Sequence, residues 1–121
     1  MLATKPCIEN LQIIGELIEG SELIVKYQYK GGQEGKSQFF WSRSQDGSKT
    51  FNPIANSEGK RAYFPTRDDI GCVLKFTYTP LRIDGEIGTT CTATTQKNIQ
   101  AGNEKRFLQI TIKIKNSISK C

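Results

Sequence analysis

Several groups of residues in this 121-residue chain have types and spacing that could do chemistry. The first is the run Gly31-Gly32-Gln33-Glu34-Gly35-Lys36-Ser37, which ends in the Gly-Lys-Ser of phosphate-binding loops. A Walker-type loop needs G-x-x-x-x-G-K-[ST] opening a helix, so that backbone amides and the helix N-terminus face the anion. Counting back from Gly35 places Lys30 where the first glycine is required. The residues that follow, Ser-Gln-Phe-Phe-Trp-Ser-Arg, alternate in the manner of a strand. The nucleotide reading fails on both counts. The glycines read instead as a structural turn connecting two antiparallel strands, with positive φ open to Gly31 and Gly32 and a second bend at Gly35.

The adjacent carboxylates Asp68 and Asp69 could hold a metal or perform acid–base work. No second cluster of ligands accompanies them, and a short acidic side chain at a corner commonly accepts hydrogen bonds from turn amides. Asp69 is read in that structural role and Asp68 as solvated. Asp84-Gly85-Glu86 reads as a hairpin turn, with weak calcium binding as the alternative. The four cysteines, Cys7, Cys72, Cys91 and Cys121, form no CxxC pair, and the chain has no histidine. That excludes a Cys-His nucleophile and disfavours zinc. Cys72 and Cys91 are read either as a bridge between neighbouring strands or as small buried hydrophobes that stay reduced, the latter being favoured. Neither Ser37 nor Ser42 has a sequence partner for nucleophilic catalysis. No catalytic residue, metal ligand or cofactor site is expected. Tyr27, Tyr29, Phe39 and Phe40 could stack on bases or sugars, but alternation turns the first three inward and leaves Phe40, opposite in phase to Trp41, as the exposed aromatic.

The elements that must position these residues are short alternating segments broken by turn residues. Leu23, Val25, Tyr27 and Tyr29 share one face; Phe39 and Trp41 share another; Leu74, Phe76 and Tyr78 share a third. Period-two patterns rich in aromatic and β-branched residues are strands. Weaker candidates lie at residues 8–14, about 51–54, 61–64, about 87–95 and 107–115. Gly15, Glu19-Gly20, Asp46-Gly47, Asp84-Gly85 and Gly88 stand between them as turn glycines. The segment Asn-Leu-Gln-Ile-Ile-Gly-Glu-Leu-Ile-Glu-Gly also fits a helical period, but its two glycines weaken that reading. Seven or eight short strands in a chain of this length predict an all-β, antiparallel, immunoglobulin-like β-sandwich. Residues 1–102 are assigned to the sandwich. Residues 103–121 are assigned to a basic tail, an extra strand or the start of a following segment.

Length and composition fit one compact domain, and no apolar run approaches the roughly 20 residues that span a bilayer. The start lacks the features of a secretory signal, so a cytoplasmic location is expected. The net charge of +5 is uneven. The last acidic residue is Glu104, whereas Lys105, Arg106, Lys113, Lys115 and Lys120 follow it. A basic tail on a balanced body favours an acidic partner such as the surface of tubulin, anionic lipid or nucleic acid, unless the lysines merely protect a strand edge.

Trp41 on the third strand and Asp68-Asp69-Ile70-Gly71 before a late strand resemble immunoglobulin-like domains. The cysteine expected on the second strand and the usual corner tyrosine are missing. The wider set of motifs is more specific. It comprises Ile14-Gly15, Glu19-Gly20, the 31–37 run, Trp41, Asp68-Asp69-Ile70-Gly71, Tyr78-Thr79-Pro80 and Asp84-Gly85. Together they resemble the Ig-like tandem repeat of a large plant and protist microtubule-associated protein family named for auxin induction in root cultures. The resemblance covers roughly residues 6–96. It implies a non-enzymatic structural or protein-interaction repeat of the cytoskeleton, with neighbouring Ig-like repeats and microtubules or tubulin as partners. In this reading Gly31, Gly32, Gly35, Trp41, Asp69, Gly71 and Tyr78 are structural motif residues, and Lys105, Arg106, Lys113 and Lys115 are the contact to an acidic partner. The rival is a surface or secreted Ig-like adhesion module that binds protein or carbohydrate. Nucleic-acid binding through the tail is the weakest of the three.

Overall fold

A computed structural model describes residues 5–102. Seven strands are named in chain order: β1 (Cys7–Ile14), β2 (Leu23–Lys30), β3 (Gln38–Ser44), β4 (Asn52–Pro53), β5 (Ala62–Tyr63), β6 (Val73–Thr79) and β7 (Cys91–Thr94). They form two antiparallel sheets, ordered β1-β2-β5 and β4-β3-β6-β7. The expected strand at 107–115 lies outside the described residues. The segment that also fitted a helical period is strand β1 running into a loop.

The strongest alternations became the longest regular strands because each has one face against the shared core. Leu23 and Val25 of β2, Phe39 and Trp41 of β3, and Leu74, Phe76 and Tyr78 of β6 are all buried. Their rings interlock. Phe39 stacks on Tyr78 at 5.1 Å between centroids, and Trp41 meets Phe76 edge-on at 5.1 Å and stacks with Tyr63 at 5.5 Å. Aromatic pairs in these geometries contribute about 0.5–1.5 kcal/mol beyond the area they bury. Ile8 and Ile99 close the core at its margins.

Strand β1 alternates less cleanly because it contains a bulge. Its register against β2 slips between Glu9 and Gln12, and Asn10 takes a φ of 58°. The inward side therefore changes phase, from Ile8 to Leu11 and Ile13. A bulge of this kind adds one residue to one strand and kinks it.

The link at 31–37 differs from the expected connection. Strands β2 and β3 lie in different sheets, so the link crosses the sandwich. Gly31 and Gly32 have φ near +97° and +98°, and a Cβ on Gly31 would sit 2.5 Å from the Lys5 carbonyl oxygen. Gly35 supplies close approach and keeps its φ out of the left-handed region: a Cβ there would lie 2.9 Å from the Ile83 Cα. The link runs alongside residues 81–83, with Gly35 N–H donating to the Leu81 carbonyl at 2.7 Å and Ile83 N–H to the Gln33 carbonyl at 2.8 Å. Gly88 was read as a turn glycine, but it serves contact: a Cβ there would overlap the carbonyl of buried Pro6.

Candidate functional site

The densest polar cluster among the described residues lies at the corner between β5 and β6. Thr66 opens a 3-10 turn, Arg67–Asp69, which swings Asp69 under the sandwich. Asp69 is fully buried. One carboxylate oxygen accepts from Arg43 Nε at 2.6 Å. The other accepts from the Tyr63 hydroxyl, the Thr66 backbone N–H at 2.8 Å and the Thr66 hydroxyl at 3.3 Å. Three separate elements thus converge on one carboxylate: β3 through Arg43, β5 through Tyr63 and the corner itself. A buried charge is tolerated when it is both paired and hydrogen-bonded in this way.

The electrostatics follow from this packing. Burial pushes the Tyr63 hydroxyl up to about 12, helped by its hydrogen bond to and the negative charge of Asp69. Burial works against the Arg43 charge, yet the hydrogen bond and charge of Asp69 leave its guanidinium held above the ordinary value. Burial likewise pushes the Cys72 thiol up, away from the reactive thiolate. Asp68 is exposed. The two neighbouring carboxylates therefore occupy different environments and do not form a paired acid–base site. Among the described residues, no group of three His, Cys, Asp or Glu side chains could hold a metal ion.

The remaining motif residues are dispersed. Trp41 is fully buried, with Nε1 donating to the Lys60 carbonyl at 3.0 Å and its backbone N–H donating to Ser57 Oγ at 3.0 Å. Gly71 takes a φ of +83° and donates to the Ile99 carbonyl at 2.8 Å. Tyr78 is buried and donates through its hydroxyl to Glu34 on the crossing link. Ser37 Oγ accepts the Leu81 backbone N–H at 2.9 Å. Asp84 closes the turn after β6, accepting from Arg82 Nε at 2.9 Å and from the Glu86 N–H at 3.1 Å. Gly31, Gly32 and Gly35 stand at the opposite pole from Asp69, beside this turn. Lys105, Arg106, Lys113 and Lys115 lie outside the described residues.

One alternative is excluded here and one reading corrected. The bridge between Cys72 and Cys91 is excluded, because they are not opposed on neighbouring strands. Cys91 faces Tyr78, six residues along from Cys72, which at strand spacing is about 20 Å and beyond the reach of a disulfide. Cys72 is buried and free, and Cys91 is half-buried and free. Phe40 is also half-buried, lining a cleft of about 580 Å³ with Gln38 and Glu58. The exposed aromatic is Phe64, 55% accessible and just past β5. Sequence reasoning also missed Arg61, which sits over the Phe39 ring at 4.6 Å and donates to the Tyr27 hydroxyl at 2.6 Å. No local pattern marks it, because its partners lie on strands remote in sequence.

A seven-stranded sandwich with a buried tryptophan on β3 and an acidic corner before β6 is an immunoglobulin-like domain. Its sequence matches the family model of the AIR9 A9 domain over residues 7–95, and the chain belongs to that family. It is 40% identical over 91 residues to the 187-kDa microtubule-associated protein AIR9 of Arabidopsis thaliana. That alignment covers 75% of this chain and 5% of the relative, so the chain spans a small fraction of the curated protein it matches. No helix among the described residues is long and apolar enough to cross a membrane.

Proposed function

We propose that this chain is a non-enzymatic structural and protein-interaction repeat of a microtubule-associated cytoskeletal protein in the cytoplasm. Its work is to hold shape, space neighbouring Ig-like repeats and offer sheet faces and a basic tail to protein partners. The observation that carries this reading is the family membership, together with 40% identity to a protein named as microtubule-associated. Structural roles for the reactive side chains support it. The Asp69 carboxylate is taken up by Arg43, Tyr63 and Thr66, Ser37 by a backbone amide, and the Cys72 thiol by burial.

In this reading the electrostatic contact is the tail, through Lys105, Arg106, Lys113 and Lys115 meeting the acidic surface of tubulin. Co-sedimentation of the full chain with microtubules at low and high salt tests it. The expected result is pelleting at low salt that falls away as salt is raised. No pelleting at low salt overturns direct binding by this chain.

A further inference from the structure

Along most of its length, strand β2 is paired on one side only. Its pairing with β5 stops after Leu23 and Ile24, which face Tyr63 and Ala62. Over residues 25–30 its one strand neighbour among the described residues is β1. Alternate residues there direct N–H and C=O away from β1, into a row that nothing fills. The inward side chains mark where cover ends. Leu23 and Val25, at the β5 end, are buried, whereas Tyr27 and Tyr29 are only half-buried. The segment that could have continued the row of β5 turns instead to β3. Gly59 N–H donates to the Phe39 carbonyl at 2.8 Å, and Trp41 Nε1 donates to the Lys60 carbonyl at 3.0 Å.

Arg61 lies across this open flank. Its Nε donates to the Tyr27 hydroxyl at 2.6 Å, and its guanidinium sits 5.8 Å from the centre of the Tyr27 ring and 4.6 Å from that of Phe39. Contacts to one strand of each sheet thus fix the group, while the residue stays exposed. Among the described residues its terminal nitrogens have no hydrogen-bond partner, and no carboxylate pairs with it. Arg43 and Arg82, by contrast, are each seated on an aspartate. A planar guanidinium held still with its outer fork free is set to take a carboxylate in bidentate fashion.

We propose that this flank binds an extended acidic peptide of a partner protein, added as a strand along residues 26–30 of β2, with a carboxylate seated on Arg61. Main-chain pairing to an open sheet edge supplies affinity, and alternate side chains supply specificity. Charge selects the partner. Segments 23–39 and 57–63 border the flank with Lys26, Lys30, Lys36, Lys60 and Arg61 against Glu34 and Glu58. Glu34 is already engaged by the Tyr78 hydroxyl. The same lysines oppose pairing of this edge with that of a second copy, which would bring like charges together. Five residues at strand spacing cover about 17 Å, so a short linear segment suffices.

The inference stands apart from any contact made by the basic tail, and its test reads the two separately. The full chain is titrated with a nine-residue peptide of alternating Glu and Val, and with the same peptide N-methylated at alternate amides in either phase. Backbone amide signals are followed residue by residue in nuclear magnetic resonance spectra. The expected result is perturbation centred on residues 25–30 and Arg61, with amide exchange in that stretch slowed about tenfold or more. One N-methylated phase should bind at least tenfold more weakly, because it removes the donors that face β2. Arg61→Gln should weaken binding about tenfold, and Arg61→Lys, which keeps the charge but not the fork, should fall between. Protected amides in β3 and β6 show that each variant is folded; if a variant unfolds, the N-methylated peptides still decide. Perturbation confined to residues beyond 102 overturns the proposal, as does undiminished binding by both N-methylated phases or by folded Arg61→Gln. Displacement of the peptide from the same residues by an oligothymidylate assigns the flank to anions in general and overturns it too. So does protection of residues 25–30 that rises with concentration in the chain alone, which assigns the edge to a second copy.

Discussion

At the residue scale the molecule turns on Asp69. Its two oxygens satisfy four donors from three elements, so removing the carboxylate leaves a guanidinium, two hydroxyls and a backbone amide to find new partners. Breaking one side of a buried pair typically costs about 3–5 kcal/mol. Arg43 retains partial access to water, with 23% of its side chain exposed, which puts Asp69→Ala near the lower end, about 3 kcal/mol. Urea denaturation checks this, and a loss below about 1 kcal/mol sinks the central role of the corner. The same site predicts a pH effect. Tyr63 is raised in the folded state from 10.0 to about 12, so folding favours its protonated form. That contribution is fully present below pH 10 and is lost as pH rises from 10 to about 12. Burial also raises the Tyr29 hydroxyl, so ultraviolet titration of the folded chain should show late-ionising phenols, with one fewer in Tyr63→Phe. The acidic pair was legible as a corner in the sequence. Arg43 was not, because a partner 26 residues away is set by sheet packing, which no local spacing encodes.

At the element scale, legibility followed how cleanly each strand kept one face in the core. Strands β2 and β6 could be read because their alternation is unbroken, and β3 because Phe39 and Trp41 share the aromatic layer, although Ser42 beside Trp41 is buried as well. Strand β1 blurred at Asn10 and Leu11, where the bulge exchanges the inward phase. Strands β4 and β5 are two residues each, too short to show any period. Sheet assignment was harder still: the glycine link at 31–37 looks the same whether it joins paired strands or crosses between sheets. Glycine roles divided in a related way. Gly31 takes a positive φ, as turn chemistry suggests, whereas Gly88 is needed for contact, which only the fold reveals. Gly88→Ala must displace Pro6, and because the obstacle is backbone it cannot swing aside as a flexible side chain would. Forced overpacking typically costs about 1–3 kcal/mol. The loss should appear in the thermal midpoint and as faster amide exchange at the start of β1, where Pro6 leads in. Gly59→Ala, with open space around its Cβ, tests left-handed strain alone and separates that effect from the clash.

At the scale of the whole molecule, the balance of charge decides how any acidic partner is met. Residues 1–104 carry twelve acidic and twelve basic side chains, and the excess of five lies beyond them. On the body, several charges are already paired: Arg43 with Asp69, Lys30 with Glu9 and Arg82 with Asp84. The tail has no acid after Glu104 to offset its cations. An attraction to tubulin should therefore be carried by the tail and screened as the Debye length contracts from about 10 Å at 0.1 M salt to about 3 Å at 1 M. Reversing Lys105, Arg106, Lys113 and Lys115 to Glu changes the net charge from +5 to −3, each reversal removing two units. The variant should lose microtubule pelleting at low salt. Its thermal midpoint should shift little, because all four cations lie beyond residues 7–95, the span that matches the family domain. Undiminished pelleting of the reversed chain would move the contact onto the sheet faces. Lost pelleting accompanied by global unfolding would instead mean that these cations hold the sandwich together. The two readouts, taken on one sample, separate a binding tail from a structural one.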